Sequence, residues 1–497
     1  MPYAHYDRLT ALDDVFLEIE NDAVHMHVGA VALFETEPLR DGAGHLDIER
    51  IRAFTASAMQ DLPRFRQRLA WVPLVGQPVW IDDARFNLQY HVRHTALPPP
   101  GDVRQLKRLA GRVFSQKLDR SKPMWEMWVV EGVEEDRFAL IAKVHHCMVD
   151  GIAGMDLLAA LLRLAPETEI QPAKPWIPRP APDAQRLLRE EVLRRAWFVP
   201  DAIGAARRAI GDVRGSIDAA RETALGVYET VSAGLAPTTD TPLNPQIGPY
   251  RRFDWVRMDL DAVREIRRRL GGTLNDVVLT TVAGAVGRFL ASRGAAADAD
   301  TVFRTMVPVS VRDRSERGRP GNRVVNFLAQ LPVHVQDPVE RLARTREVMA
   351  RLKSSRVVSG SEILEEFADR TFTSILVEFV RLAANTRAYN LVVTNVPGPR
   401  VPLYLLGARM SEIFPLVPLF VNQGLGIALF SYDGQLCWGF CADWDALPDL
   451  HDFTLGVEAE FESLRAAAEK APEPVEPPAR SARRRREASR KARETRA

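Results

Sequence analysis

A chain of 497 residues is longer than one ordinary core fills, since single cores stop growing at about 250–300 residues, so two domains are expected. With 46% hydrophobic and 26% charged residues the balance is that of a globular protein, not a disordered one. The net charge of +1 conceals an asymmetry: residues 479–497 carry nine basic and two acidic side chains, a +7 tail against −6 elsewhere, so the globular part does not read as a nucleic-acid binder.

In chain order, Val28 to Phe34 reads as a strand and Ile48 to Leu62 as a helix stopped by Pro63. Phe138 to Val144 is an apolar run suited to a buried strand, and Ile152 to Leu162 reads as a largely buried helix. Five prolines between Pro172 and Pro182 mark a linker. Two helical patterns follow, one over 184–199 flanked by Arg186, Arg189, Arg194 and Arg195, the other after Pro200. A second α/β block holds helices over Asp261 to Arg269 and Leu274 to Phe289. Its strands are Val302 to Val311, Leu391 to Thr394, and a hairpin of Leu425 to Tyr432 and Leu436 to Cys441 around Asp433-Gly434. Beyond Lys470 the chain turns Pro/Glu-rich and then Arg-rich, and is expected to be disordered. The expected division is 1–170, a helical linker 171–245, 246–465, and a tail 466–497.

Three cysteines, Cys147, Cys437 and Cys441, make no disulfide framework, which fits a reducing, cytoplasmic setting. The N-terminus lacks a signal-peptide pattern, and no run approaches ~18 uninterrupted apolar residues, so any membrane contact is expected to be peripheral.

The segment His145-His146-Cys147-Met148-Val149-Asp150-Gly151 lies where a strand ends and a helix begins, a common seat of chemistry in α/β folds. On an extended strand adjacent histidines face opposite ways, so one can line a cleft while the other faces the core. An imidazole with an ordinary pKa of about 6.5 accepts a proton near neutral pH, which suits deprotonation of a hydroxyl attacking a carbonyl. A buried histidine pair with a capping aspartate is the plainer alternative, and a metal site is a second; adjacent histidines rarely converge on one ion, so no metal is expected. No Gly-x-Ser-x-Gly or P-loop lysine motif is present, against a serine hydrolase or a nucleotide hydrolase.

The pattern His-His-x-x-x-Asp-Gly resembles the signature of the acyl-CoA-dependent acyltransferase superfamily. Further segments narrow the resemblance to the bacterial wax ester synthase/diacylglycerol acyltransferase family. In order they are Leu62 to Leu69, Leu118 to Glu126, Gly248 to Arg252, Asn275 to Leu279, Val307 to Arg312, Gly321-Asn322, Thr394 to Pro399 and Asn422-Gln423-Gly424. Met124 departs from the leucine the family more often has, a change small in volume.

The resemblance implies an α/β fold of two chloramphenicol acetyltransferase-like domains with mixed sheets and an active-site channel between them. It implies His146 as proton acceptor, His145 as its supporting neighbour, Asp150 as a structural carboxylate and Gly151 as its turn. Arg66, flanked by Arg64 and Arg68, is the candidate salt-bridge partner of Asp150. Asn275 and Asp276 either cap the following helix or, with Asn395 and Pro397, line the substrate channel. Cys147 is expected to be inert. The implied substrates are long-chain acyl-CoA, not a cofactor, and diacylglycerol or a long-chain alcohol. Another lipid or polyketide hydroxyl, or a non-catalytic lipid-binding role, is the alternative. The 184–199 helix either rests on an anionic membrane or lipid-droplet surface or straps the two domains, and the +7 tail either adds attraction to that surface or is merely solvated.

Overall fold

The computed structural model describes residues 5–148, 156–194, 236–310, 324–354 and 387–472. Two six-stranded sheets organise them. The first runs, in spatial order, β12 (Tyr404–Leu405), β13 (Ala408–Leu416), β2 (His27–Glu35), β7 (Arg137–His145), β6 (Trp125–Val133) and β5 (Val92–Ala96). The second runs β10 (Val324–Gln330), β9 (Arg304–Ser310), β11 (Leu391–Val396), β14 (Leu425–Tyr432), β15 (Gln435–Asp443) and β8 (Arg251–Asp259). A small sheet places β4 (Pro78–Asp82) between β1 (Asp7–Arg8) and β3 (Gln67–Trp71). Both large sheets are mixed: β5–β6, β11–β14 and β9–β11 pair parallel, and the other pairs antiparallel.

The apolar runs become the central strands. Phe138 to Val144 sits inside β7, buried on both faces between β2 and β6, which is why it reads as continuous rather than alternating. The hairpin around Asp433-Gly434 forms in the expected register, Tyr432 opposite Gln435. Both turn residues have positive φ, 42° and 81°, as a two-residue primed turn requires. The helix expected to Leu62 ends earlier: Ile48–Ala58 is α-helical, and Met59–Asp61 tightens into a 3-10 turn before Pro63. The apolar helix Leu274–Ser292 is long and hydrophobic enough to span a bilayer, the one such helix among the described residues, but its most apolar stretch is 78% buried. It is the central core helix of the second half, its Val282 and Val286 in one apolar cluster with Leu342, Phe453 and Val457.

The two sheets are not built from two contiguous stretches. β13 leaves the C-terminal part of the sequence and pairs with β2, Met410 opposite Phe34 and Leu416 opposite Gly29. A third apolar cluster joins the halves, with Val31, Phe114 and Ile141 on one side and Phe253, Trp255, Phe414 and Cys441 on the other. Lys107 on the helix Val103–Ser115 pairs with Asp254 of β8 across this junction. The first sheet is therefore built from both parts of the chain, and the junction is packed and salt-bridged.

Candidate active site

The site begins with the pairing of β2 and β7, which sets His27 opposite His145 at the open end of the first sheet. The His145 N–H donates to the Met124 carbonyl at 2.9 Å, and the His146 N–H to the Met26 carbonyl at 2.7 Å. The chain then coils into a 3-10 turn, His146–Met148, ending the strand. Both histidine backbones are thus fixed, His145 as the last residue of the strand and His146 as the first of the turn.

His145 faces inward and is 1% exposed. Its Nδ1 accepts from the Cys147 backbone N–H at 3.2 Å and lies 3.0 Å from the Cys147 sulfur. With Nδ1 an acceptor, the neutral ring carries its proton on Nε2. That nitrogen points at Glu20 Oε1, 3.6 Å away. Burial holds His145 below the usual histidine range, with Glu20 opposing the shift. Burial likewise pushes the Cys147 thiol well above its usual range, so it is no thiolate nucleophile.

His146 is partly exposed. Its ring lies against Phe16, centroids 3.9 Å apart at 31°. Burial first, and His145 second, bring its pKa down to about 4, so the imidazole is neutral across the physiological range. A neutral, partly open imidazole on a fixed backbone can accept a proton.

Several participants were not legible in the sequence. The first helix, Ala11–Ile19, is capped by Thr10 and ends at Glu20, whose side chain is 1% exposed. Burial opposes its ionisation, yet His145 and Arg120 hold its carboxyl down at about 2. Arg120 grips it with Nε at 3.0 Å and Nη2 at 2.7 Å. His27 Nε2 is 3.7 Å from the same carboxylate, and His25 lies beside His27, rings 5.5 Å apart. Farther along the same face, Lys143 is fully buried and closes the end of the helix Val103–Ser115, donating to the Val113 and Gln116 carbonyls. The only available hints were Arg120, inside a family segment, and the alternating pair His25 and His27.

Of the other expected residues, Asp150 and Gly151 lie outside the described residues, and so does any pairing of Arg66 with Asp150. Arg66 itself is buried, donates to the Ala56 carbonyl at 3.1 Å and stacks 5.0 Å from the centroid of Trp176. Asn275 and Asn395, 120 positions apart, are brought together: Asn395 Nδ2 donates to Asn275 Oδ1 at 2.8 Å. Asp276 closes a reciprocal capping box with Thr273 at the start of the core helix. Pro397 is exposed beyond β11, whose last residue, Val396, packs on the first sheet's core. Among the described residues no group of three His, Cys, Asp or Glu is placed to hold a metal ion.

Comparison with known proteins gives this geometry a setting. Residues 9–278 match the wax ester synthase/diacylglycerol acyltransferase catalytic domain, and residues 320–465 the C-terminal domain of the same family. A putative diacylglycerol O-acyltransferase of Mycobacterium tuberculosis is 32% identical, the match covering 95% of this chain and 92% of that protein. The solved wax ester synthase/diacylglycerol acyltransferase from Marinobacter aquaeolei VT8 superposes with a TM-score of 0.64 at 27% identity, over 93% of this chain and 100% of that one. The first condensation domain of the calcium-dependent antibiotic synthetase superposes with a TM-score of 0.58 at 14% identity, covering 95% and 98% of the two chains, which shows a common fold. The mixed-sheet, chloramphenicol acetyltransferase-like architecture expected from the sequence is the one found.

Proposed function

Because the chain belongs to the wax ester synthase/diacylglycerol acyltransferase family, we propose that this O-acyltransferase takes long-chain acyl-CoA and esterifies diacylglycerol, long-chain alcohols, or both. The observation that carries this reading is His146: neutral, partly open and fixed by its backbone at the end of β7. Its imidazole takes the hydroxyl proton as the oxygen attacks the thioester carbonyl. The tetrahedral adduct collapses, the carbon–sulfur bond breaks, and the proton goes to the leaving thiolate. No covalent enzyme intermediate and no cofactor is needed. Aligning the two substrates in a channel between the sheets supplies a large share of the acceleration. Asp150 and Gly151 shape the loop after His146, and the Asn275–Asn395 pair, where β11 meets the core helix, lines that channel.

Purified protein offered palmitoyl-CoA with a panel of diacylglycerol and fatty alcohols should release CoA and form neutral ester. Release with another lipid hydroxyl alone would move the acceptor class, and no turnover with any alcohol would leave a lipid-binding relative.

A greasy acceptor is best met at a lipid surface, and the small sheet supports such a contact. Leu74, at the β3–β4 tip, is 95% exposed, and Trp71 is 49% exposed. The 184–194 helix packs Leu187 onto Val72, Val79 and Ile81 of this hairpin, and its Arg194 reaches Gln77. It turns Val192 and Leu193 outward beside the exposed Arg189. In its described part the helix therefore straps the small sheet, through Tyr6–Glu190 and Arg8–Glu191 as well. The double change Trp71→Ser, Leu74→Ser should cut co-flotation with anionic phospholipid vesicles while CoA release from a short soluble alcohol persists. Undiminished flotation would reject this surface.

A further inference from the structure

The first helix touches both histidines of the pair, and with different chemistry. Phe16 packs against the ring of His146, and Glu20, the residue that ends the helix, faces the ring of His145. One short helix and its C-terminal cap therefore lie against the end of β7 and reach both rings. Thr10 starts the helix and Arg120 ties down its end, donating to the Leu17 carbonyl at 2.7 Å as well as to Glu20.

A carboxylate with a 1% exposed side chain disfavours folding unless its charge is answered. Arg120 answers it on one oxygen. The other, Oε1, accepts no hydrogen bond from the described residues, and it faces two histidine Nε2 atoms, His145 at 3.6 Å and His27 at 3.7 Å. The His145 Nε2 is likewise buried, with no hydrogen-bond partner among the described residues. Two polar atoms facing each other just beyond hydrogen-bond length form a contact that closes with a small movement of either ring or carboxylate. Among the described residues, the charged and titratable groups around His145 include Glu20, Arg120, His25, His27, Lys143, His146 and Cys147.

We propose that Glu20 is a positioning residue: its buried carboxylate, tied to Arg120, holds the His145 ring on its Nε2–H tautomer and so fixes the turn from which His146 presents its imidazole. Glu20 never meets substrate. It keeps Nδ1 of His145 free to accept the Cys147 N–H, and that bond sets the first step of the 3-10 turn carrying His146. The proposal rests on the reading of His146 as the base.

The test separates the two. Glu20→Gln keeps the shape and removes the charge. It should lower kcat about 10- to 100-fold, the size of a sub-ångström to ångström misplacement, with KM for acyl-CoA unchanged. Glu20→Asp, which keeps the charge on a shorter stem, should recover part of that loss. A purely structural Glu20 would instead lower Tm and leave kcat per folded molecule and the pH profile of kcat/KM as in the native chain. That outcome overturns the proposal while His146→Ala remains inactive; an active His146→Ala overturns the base assignment itself. Nitrogen-15 histidine spectra of the native chain need no foldable Glu20 variant, the His145 signal being assigned by its loss in His145→Gln. His145 should show the Nε2–H tautomer, and the Nδ1–H tautomer overturns the proposal.

Discussion

The two six-stranded sheets are similar mixed layers, yet what they bury differs. Against the second sheet the core helix Leu274–Ser292 is packed nearly all round by aliphatic and aromatic side chains. Two buried charges packed against it, Arg341 and Glu460, pair with each other at 2.8 Å. At the end of the first sheet lie a carboxylate, three histidines and a lysine, all buried: Glu20, His25, His27, His145 and Lys143. Groups that cost free energy to desolvate gather where chemistry needs fixed dipoles and shifted proton affinities. The C-terminal part of the chain contributes to the first sheet directly, through β13 paired with β2. One region therefore answers to perturbation mainly in rate, the other mainly in stability.

The largest effect that would break this division is at His146. His146→Ala should lose on the order of 10²–10⁴ in kcat, the usual size of general-base catalysis. Its Tm should move far less than its rate, the residue being partly exposed and its ring stacking on Phe16. Steady-state kinetics beside a thermal melt decide it; near-native turnover would remove the first sheet's claim to the chemistry.

The mirror experiment is Gly284→Ala in the core helix. A Cβ there would intrude on both the Arg341 guanidinium and the Glu460 carboxylate, closer than any real contact. Parting a buried pair typically costs about 3 kcal/mol or more. Tm should fall by several degrees, at roughly 2–4 °C per kcal/mol for a domain of this size, with kcat per folded molecule unchanged. A loss of kcat without a loss of Tm would show that the second sheet does more than support.

The same contrast explains what could be read in the sequence. The strand of Phe138 to Val144, the Asp433-Gly434 hairpin and the core helix announce themselves because local pattern and tertiary role agree. His146 could be singled out only by the motifs accompanying it in order along the chain. Glu20 could not be read at all: it ends a short helix 125 positions before His145, and no periodicity marks a carboxylate that folding turns inward. Asn275 and Asn395 were each recognisable within a motif, but their hydrogen bond needed β11 and the core helix to be placed side by side. That Asn275 or Asp276 caps the helix was one of two readings left open; the cap is Thr273, and Asp276 completes its capping box from inside the first turn.

The smallest expected effect is the sharpest test of how dry the first sheet's end is. Burial, then His145, holds His146 at about 4, and its neutral form is the one that accepts a proton. Activity must therefore persist as pH falls and be lost only near pH 4; kcat/KM should change by roughly 10% between pH 8 and 5, whereas a base with the ordinary pKa of about 6.5 would lose roughly 30-fold. Stability has the same sign. The unfolded imidazole gains its proton near 6.5 and the folded one near 4, so the contribution is intact above 6.5 and declines as pH falls towards 4. His91, also held at about 4 by burial, adds to the decline. Melts recorded at each pH separate acid unfolding from titration of the base. A limb near 6.5 with Tm unchanged would mean that water reaches His146 freely, and the contrast between a polar, water-excluding sheet end and an apolar support would rest on Glu20 and His145 alone.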